Sequence, residues 1–395
     1  MNRNSQSFKE EQKMKSARET QSAHLDPDSE ALPGLRDMKE WIKHHKSWPF
    51  IVVVFGGTGT GKTTFVNKAS GGSFAVGTGL ESCTATPFAT QPFSLGHGFK
   101  PGVFLIDTPG FDDTTRSDAE TVSVIVKALS ALYKATNILV SGILYFHRIT
   151  DVRMSGSSAR NLRILEKLCG PEKLPHVLIV TTHWDEVDQG IAANREKELR
   201  DRYFEPVLSK GTQMVRLKPD TPENAQTILK QLARQVFNSW TSAPLRIQHE
   251  LIFERKKLVE TDAGREIAQE LRQQIGRKEK ESGQLLIEIN DARRENDEQV
   301  CDMLSGERVM LEAKGTRLTE ELARLSMYDD ACSAISTPAL SPRPVVQRLS
   351  FLQASVNGAA SIRKLPFRRA IPNLRRFQRT TQRAGCHPRT GATAS

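Results

Sequence analysis

The chain has 395 residues, 38% of them hydrophobic and 26% charged, with a net charge of +10. That length allows two or three domains of ~100–200 residues. The apolar fraction falls below the roughly 45–50% of wholly globular chains, so part of the length is expected to lie outside any packed core. The five cysteines, Cys83, Cys169, Cys301, Cys332 and Cys386, are scattered and form no C-x-x-C pair, which speaks against a disulfide or zinc framework and for a reducing compartment. The N-terminus lacks an apolar signal core and no run reaches the ~20 apolar residues of a membrane-spanning helix. A cytoplasmic protein, soluble or peripheral to a membrane, is expected.

Residues 1–46 are polar, carry Pro27 and Pro33, and read as a disordered N-terminal segment apart from one short helix around Gly34 to His45. A folded domain is expected over 47–242. Its apolar runs Phe50 to Phe55, Gly102 to Ile106, Ile138 to Phe146 and Val177 to Val180 are short and nearly continuous, as in parallel strands buried on both faces. Thr90 to Leu95 and Val103 to Ile106 flank the turn-rich GHGFKPG and are expected to pair as an antiparallel edge hairpin. Ala119 to Ala135 and Ser157 to Leu168 have apolar residues at helical spacing, and Thr221 to Trp240 is read as a closing helix that starts at Pro222. Alternating strands and helices of this kind imply a doubly wound α/β domain.

The strand Phe50 to Phe55 runs into Gly56, Gly57, Thr58, Gly59, Thr60, Gly61, Lys62, Thr63 and Thr64, which satisfies G-x-x-x-x-G-K-[ST] between a strand and a helix. Glycines let successive backbone N–H groups turn toward phosphate. Lys62 supplies a point charge to the β- and γ-phosphates, the Thr63 hydroxyl is a Mg²⁺ ligand, and the helix after it aims its positive end at the anion. The strand Gly102 to Ile106 ends in Asp107-Thr108-Pro109-Gly110. There Asp107 can bind Mg²⁺ through water, and the Gly110 N–H can sense a γ-phosphate whose loss frees the adjoining FDDTTRSD segment. Between the two lies the Gly/Ser/Thr-rich loop Gly71 to Thr90, which holds ESCTAT. A hydroxyl from this loop can complete the Mg²⁺ shell and serve the hydrolysis step; Thr84 is the first choice and Thr86 the second, and either is equally compatible with a solvated loop.

After Val180 comes Thr181-Thr182-His183-Trp184-Asp185. Thr182, His183 and Asp185 resemble the [NT]-K-x-D motif of GTPases, in which the aspartate accepts both guanine-edge N–H donors. Histidine here holds the lysine position, and an aspartate capping a helix is the bland alternative. GGTGTGKTT, ESCTAT, DTPG and TTHWD together resemble the G domain of the septin-like and immunity-associated (AIG-type) GTPases, a branch that includes the chloroplast-import receptor GTPases. Within that branch the chain is most similar to fungal G-domain proteins. The likeness spans residues 48–240 and takes in LYFHRITDVRMSG…LEKLCG, similar to a stretch those GTPases carry between switch II and the guanine motif. It implies a P-loop G domain with a mainly parallel sheet and one antiparallel edge strand, GTP or GDP with Mg²⁺ as ligands, and homodimerisation through the nucleotide face. The final guanine loop has no clear S-A-K counterpart; its best place is Val215 to Thr221, after a strand over Gln213 to Leu217. Where Ras-like proteins have a water-orienting glutamine after D-x-x-G, this chain has Phe111. The resemblance therefore implies slow or association-dependent hydrolysis, and a switch more than a fast enzyme; a P-loop ATPase and a nucleotide-binding scaffold without turnover are the competing readings.

After Pro244 a charge-rich helical extension is expected over 243–328, with leucine at every seventh place from Leu304 through Leu311 and Leu318 to Leu325. Arg308 and Gly315 spoil the companion positions. Gly264, Gly276, Gly283, Gly306 and Gly315 each cost ~1 kcal/mol relative to alanine, so only a weak coiled coil, and a second candidate for self-association, is implied. Residues 341–395 carry eleven Arg or Lys and no Asp or Glu, which leaves residues 1–340 at −1. The stretch 329–395 is read as a disordered basic tail, suited to an anionic membrane surface or nucleic acid or simply solvated.

Overall fold

The computed structural model describes residues 30–45, 48–76, 84–96, 99, 101–113, 116–152, 156–238 and 244–327. The expectations for residues 1–29 and for the basic tail, and the Glu81-Ser82-Cys83 part of ESCTAT, lie outside them. The described chain opens with helix α1, Leu35–His44. Leu32, Leu35 and Met38 are fully buried. Packing therefore begins before residue 47, because leucine and methionine three places apart give this short helix an apolar stripe that docks on the sheet domain.

Strand β1, Phe50–Gly56, is buried at every position. Helix α2, Lys62–Ser70, comes directly after the loop that leaves it. Strands β2, Phe88–Ala89, and β3, Val103–Asp107, come next. Helix α3, Asp118–Thr136, starts at Ser117, whose side chain accepts the Glu120 N–H, and carries Asp118 and Glu120 in its first turn. Then come β4, Gly142–Arg148; α4, Gly156–Cys169; β5, Val177–Thr182; α5, Gln189–Glu198; β6, Gln213–Arg216; and α6, Pro222–Asn238.

The six strands lie in the order β2-β3-β1-β4-β5-β6. All neighbours are parallel except β2 and β3. This is the doubly wound α/β sheet with one antiparallel edge that the sequence implied. Side chains of β1 alternate between the two faces. Ile51, Val53 and Phe55 join α1, α3 and α4 on one side, and Val52 and Val54 meet α2 and α6 on the other.

Two boundaries differ from expectation. The antiparallel edge strand is Phe88–Ala89, paired with Asp107 and Ile106; from Thr90 to Leu95 the chain continues along β3 through the Thr90 N–H bond to Leu105 O, the Leu105 N–H bond to Thr90 Oγ1 and a bridge from Phe93 to Val103. Strand β4 starts at Gly142 and not at Ile138; Ile138 and Val140 are buried in the approach to it. Helix α5 carries only Ala192 and Glu196 inward, so its apolar periodicity is too weak to announce it.

The extension does not stand apart from the sheet domain. Leu245, Ile247 and Leu251 join the α3–α4 side of the core. Two long helices, α7, Asp262–Arg294, and α8, Glu298–Met327, then form a hairpin. At its root Ala263, Ile267, Leu271 and Leu325 are buried, with Leu318 and Leu322 packed against them. Gly264 is required there: a Cβ would stand 1.8 Å from Leu258 O, whereas Gly276, Gly283 and Gly306 face open space.

Candidate functional site

Gly56 ends β1 with φ 145°, and Gly61 opens α2 with φ 86°. A Cβ on Gly56 would lie 2.5 Å from Phe146 O, so the turn off the strand needs glycine both for its dihedral angle and for the approach of β4. The loop's hydroxyls and ammonium fold inward. Lys62 Nζ donates to Gly56 O at 3.1 Å and Gly57 O at 2.7 Å, and Thr60 Oγ1 donates to Gly57 O at 2.8 Å. Burial lowers the Lys62 pKa to about 8, against the opposing pull of Asp107 and Asp113. A buried ammonium whose described hydrogen-bond partners are two loop carbonyls is a charge that a nearby anion would stabilise.

Parallel pairing of β3 with β1 places Asp107 opposite Val54. Its carboxylate is fully buried. Thr63 Oγ1 donates to Asp107 Oδ2 at 2.7 Å and Thr84 Oγ1 to the same oxygen at 3.3 Å, with 3.2 Å between the two hydroxyls. Asp107 Oδ1 has no hydrogen-bond partner. Desolvation raises the Asp107 pKa, offset by the Thr63 bond and the charge of Lys62. A buried carboxylate with one orphaned oxygen and two hydroxyls at hand fits a hard divalent cation. Among the described residues no three His, Cys, Asp or Glu side chains cluster as a metal site. A cation at Asp107 would therefore need its other ligands from hydroxyls, water and a phosphate. Thr86 is exposed.

The segment after Asp107 lies against the phosphate loop. A Cβ on Gly110 would sit 2.4 Å from Thr58 Oγ1 and 2.6 Å from Thr58 N. The Thr58 N–H donates to Phe111 O at 2.8 Å, and the Phe111 N–H to Gly56 O at 3.2 Å. Thr58 Oγ1 is buried without a partner. Phe111 is itself fully buried in the α3–α4 side of the core.

From the end of β5, Thr182 Oγ1 donates to Thr60 O of the loop at 3.0 Å. His183, with φ 60°, stands in the lysine position of the sequence pattern; its Nε2 is 3.1 Å from Gly59 O and its Nδ1 2.6 Å from Glu186 Oε1. Histidine thus bridges the loop apex to the turn after β5. The Asp185 side chain is 74% exposed and lies 3.5 Å from Lys218 Nζ. Lys218 is in the Val215 to Thr221 stretch, so that segment does adjoin Asp185, and Lys68 fixes it from α2 through Asp220 O at 2.8 Å. Trp184 is buried under the Arg216 guanidinium, 4.5 Å away, and donates to Thr181 O. Trp184, Arg216 and Lys218 brace the turn after β5. Only tertiary contact reveals that role.

No family model matches this chain, and no curated protein matches it. Solved structures with related folds exist. Toc33 from Arabidopsis thaliana, in complex with Mg²⁺ and GMPPNP, is 16% identical, with 55% of this chain and 95% of that chain covered at a TM-score of 0.38. A second chain, from a study of dimerisation in the GTPase activity of the chloroplast translocon components atToc33 and psToc159, is 18% identical over 51% of this chain and 90% of its own, at 0.38. The bacterial selenocysteine-specific elongation factor EF-Sec is 14% identical over 49% of this chain and 29% of its own, at 0.34. Overlaps this loose carry no functional weight. The P-loop α/β architecture rests on this chain's own strand order and on the loop between β1 and α2.

Proposed function

We propose that the chain binds guanine nucleotide with Mg²⁺ and works as a nucleotide-dependent switch with slow hydrolysis. The observation that carries this reading is the convergence of Thr63 and Thr84 on buried Asp107, one oxygen of which is unpaired, beside the Gly56–Thr63 loop. In this reading the loop's N–H groups and Lys62 bind the phosphates. Thr63 and Thr84 offer hydroxyls to Mg²⁺, and Asp107 orients them and the waters between. Bound Mg²⁺ would neutralise phosphate charge and hold the terminal phosphate for displacement. Asp185 supplies the acceptor pair for the guanine edge once Lys218 gives way, and His183 and Thr182 hold its turn against the loop.

The fully buried Phe111 speaks for slow turnover. Its ring lies in the core and its backbone is tied to Thr58 and Gly56, so nothing at this position orients a water molecule. Gly110 is where a terminal phosphate would register. The start of α3, a few residues further along the chain, meets the hairpin: Arg324 Nη1 donates to Glu120 Oε1 at 2.7 Å, and Glu321 bonds Ser117, the cap of α3. A change at Gly110 thus has a short path to α8. Association of two copies through the nucleotide face or the hairpin is the accompanying reading. Titration calorimetry with GTP, GDP and ATP, with and without Mg²⁺, tests the whole. Submicromolar GTP or GDP with far weaker ATP is expected, and equal ATP affinity would favour an ATPase. Light scattering with a non-hydrolysable GTP analogue tests association.

A further inference from the structure

Arg148 ends β4 and faces the phosphate loop from the side opposite Asp107. Its Nη1 lies 3.4 Å from where a Cβ on Gly59 would stand. The turn that carries it is fixed from two directions: the Ile149 N–H donates to Thr182 O at 3.0 Å, and Arg195 Nη1 from α5 donates to Ile149 O and Thr150 O, both at 3.0 Å. Three residues on, Asp151 Oδ1 stands 3.1 Å from Arg148 Nε. That pair is poorly aligned, since Nε makes no hydrogen bond although it is buried, and the Arg148 side chain is 41% exposed. The guanidinium is thus anchored at its root, loosely held by its carboxylate, and set over the loop apex. Lys62 bonds Gly56 O and Gly57 O within the loop, and Lys218 pairs with Asp185.

Resting on the nucleotide reading above, we propose that Arg148 is a phosphate-contacting arginine acting within its own chain, which neutralises charge on the β-phosphate during hydrolysis. The apex of a loop of this kind lies against the α- and β-phosphates. When water attacks the γ-phosphorus, the bond from that phosphorus to the β–γ bridging oxygen breaks. The electron pair stays on the β-phosphate and the water proton leaves with inorganic phosphate, so GTP and water give GDP and phosphate. Charge therefore grows on the β-phosphate, which a loop of this kind cradles. A guanidinium there stabilises the transition state more than the ground state. It supplies by charge part of what position 111 cannot supply by orienting water. The weak Asp151 pair fits this role, because it parks the guanidinium without satisfying it.

The test uses the full chain as wild type, Arg148→Ala, Arg148→Lys and Asp151→Asn, with thermal melts to confirm folding. Affinity for a fluorescent GDP and single-turnover GTP hydrolysis are both measured, with and without added guanidinium ion. Arg148→Ala is expected to bind GDP within about threefold of wild type and to lose hydrolysis by about 10²–10³-fold, with partial rescue by guanidinium. Arg148→Lys should fall between, because a point charge replaces a fork. Asp151→Asn should retain hydrolysis. Unchanged hydrolysis in Arg148→Ala overturns the proposal, as does a loss of hydrolysis that guanidinium does not restore, or wild type that binds GTP without turning it over. Failure of wild type to bind any guanine nucleotide overturns the underlying reading as well, and is recognised by the binding arm alone.

Discussion

The two ends of the proposed nucleotide site are built by opposite means. At the phosphate end Asp107 closes strand β3 and is fully buried, and Lys62 and Thr63 open helix α2 beside it. At the base end Asp185 projects from a short turn, three-quarters exposed, with a cation 3.5 Å away as its only described ion-pair partner. A carboxylate buried with an unpaired oxygen is costly unless something completes it, so the phosphate end stores its purpose in its own structure. The base end is screened by solvent and has little to lose when empty. Affinity is therefore expected to reside in the loop, and base selectivity in a small number of groups that rearrange on binding.

The largest effect should come from Lys62→Ala. Removing the charge that sits among the loop carbonyls is expected to weaken GTP and GDP by about 10³-fold or more, roughly 4 kcal/mol, as read by calorimetry. A loss under tenfold would erase the contrast between the two ends. Phe111→Gln comes next, and it acts on stability. It removes a fully buried ring and inserts an amide with no partner, which should cost about 3 kcal/mol in denaturant unfolding without accelerating hydrolysis; a rate gain would show that position 111 faces the reacting water after all.

At the base end, Asp185→Asn should lower GTP affinity by about 100-fold and improve xanthine nucleotide binding, because an acceptor becomes a donor at the ring edge. Affinity for both purines unchanged would reduce Asp185 to a surface residue. His183→Lys should change GTP affinity by only a few-fold, since histidine already bridges to Gly59 O. The smallest effect lies where the segment after Phe111 meets the hairpin. Burial raises the Glu321 pKa above its usual value, with Glu120 and Asp118 adding to it against the Ser117 bond. The folded protein therefore holds that proton more tightly than the unfolded chain, and the penalty for ionised Glu321 is present at neutral pH and relieved as pH falls through the raised pKa. Glu321→Gln should melt no lower than wild type near pH 7, and the gap between them should narrow on acidification.

The phosphate end is the more legible in sequence, for the same reason that it is the more buried. Gly56, Gly61 and Lys62 occupy positions where dihedral angles and charge admit few other residues, and the apolar strand before them declares its own burial. Thr84 ranks above Thr86 in sequence only as a preference, because a hydroxyl's partner depends on where a loop returns; the structure brings Thr84 to Asp107 and leaves Thr86 exposed. The edge strand reads two to six residues late, since Phe88-Ala89 comes after a proline in a Thr-rich loop and lacks an alternating pattern. The packing of α1 and the inward fold of Leu245 and Leu251 are long-range facts, and the need for glycine at 264 comes from the way the chain turns back onto Leu258 just before α7. Gly264 looks like a helix breaker in one dimension and proves to be the point where α7 touches Leu258 O. Lys218 beside Asp185 is equally invisible until β5 and β6 are paired.

The most direct test of the central claim is competition of GTP, GDP and ATP for the wild-type chain at fixed Mg²⁺, repeated after the metal is removed with a chelator. The account predicts that guanine nucleotides displace a fluorescent GDP at least about a hundredfold more effectively than ATP, and that GTP loses more affinity than GDP when Mg²⁺ is removed. Equal displacement by ATP, or GTP binding indifferent to Mg²⁺, would contradict it.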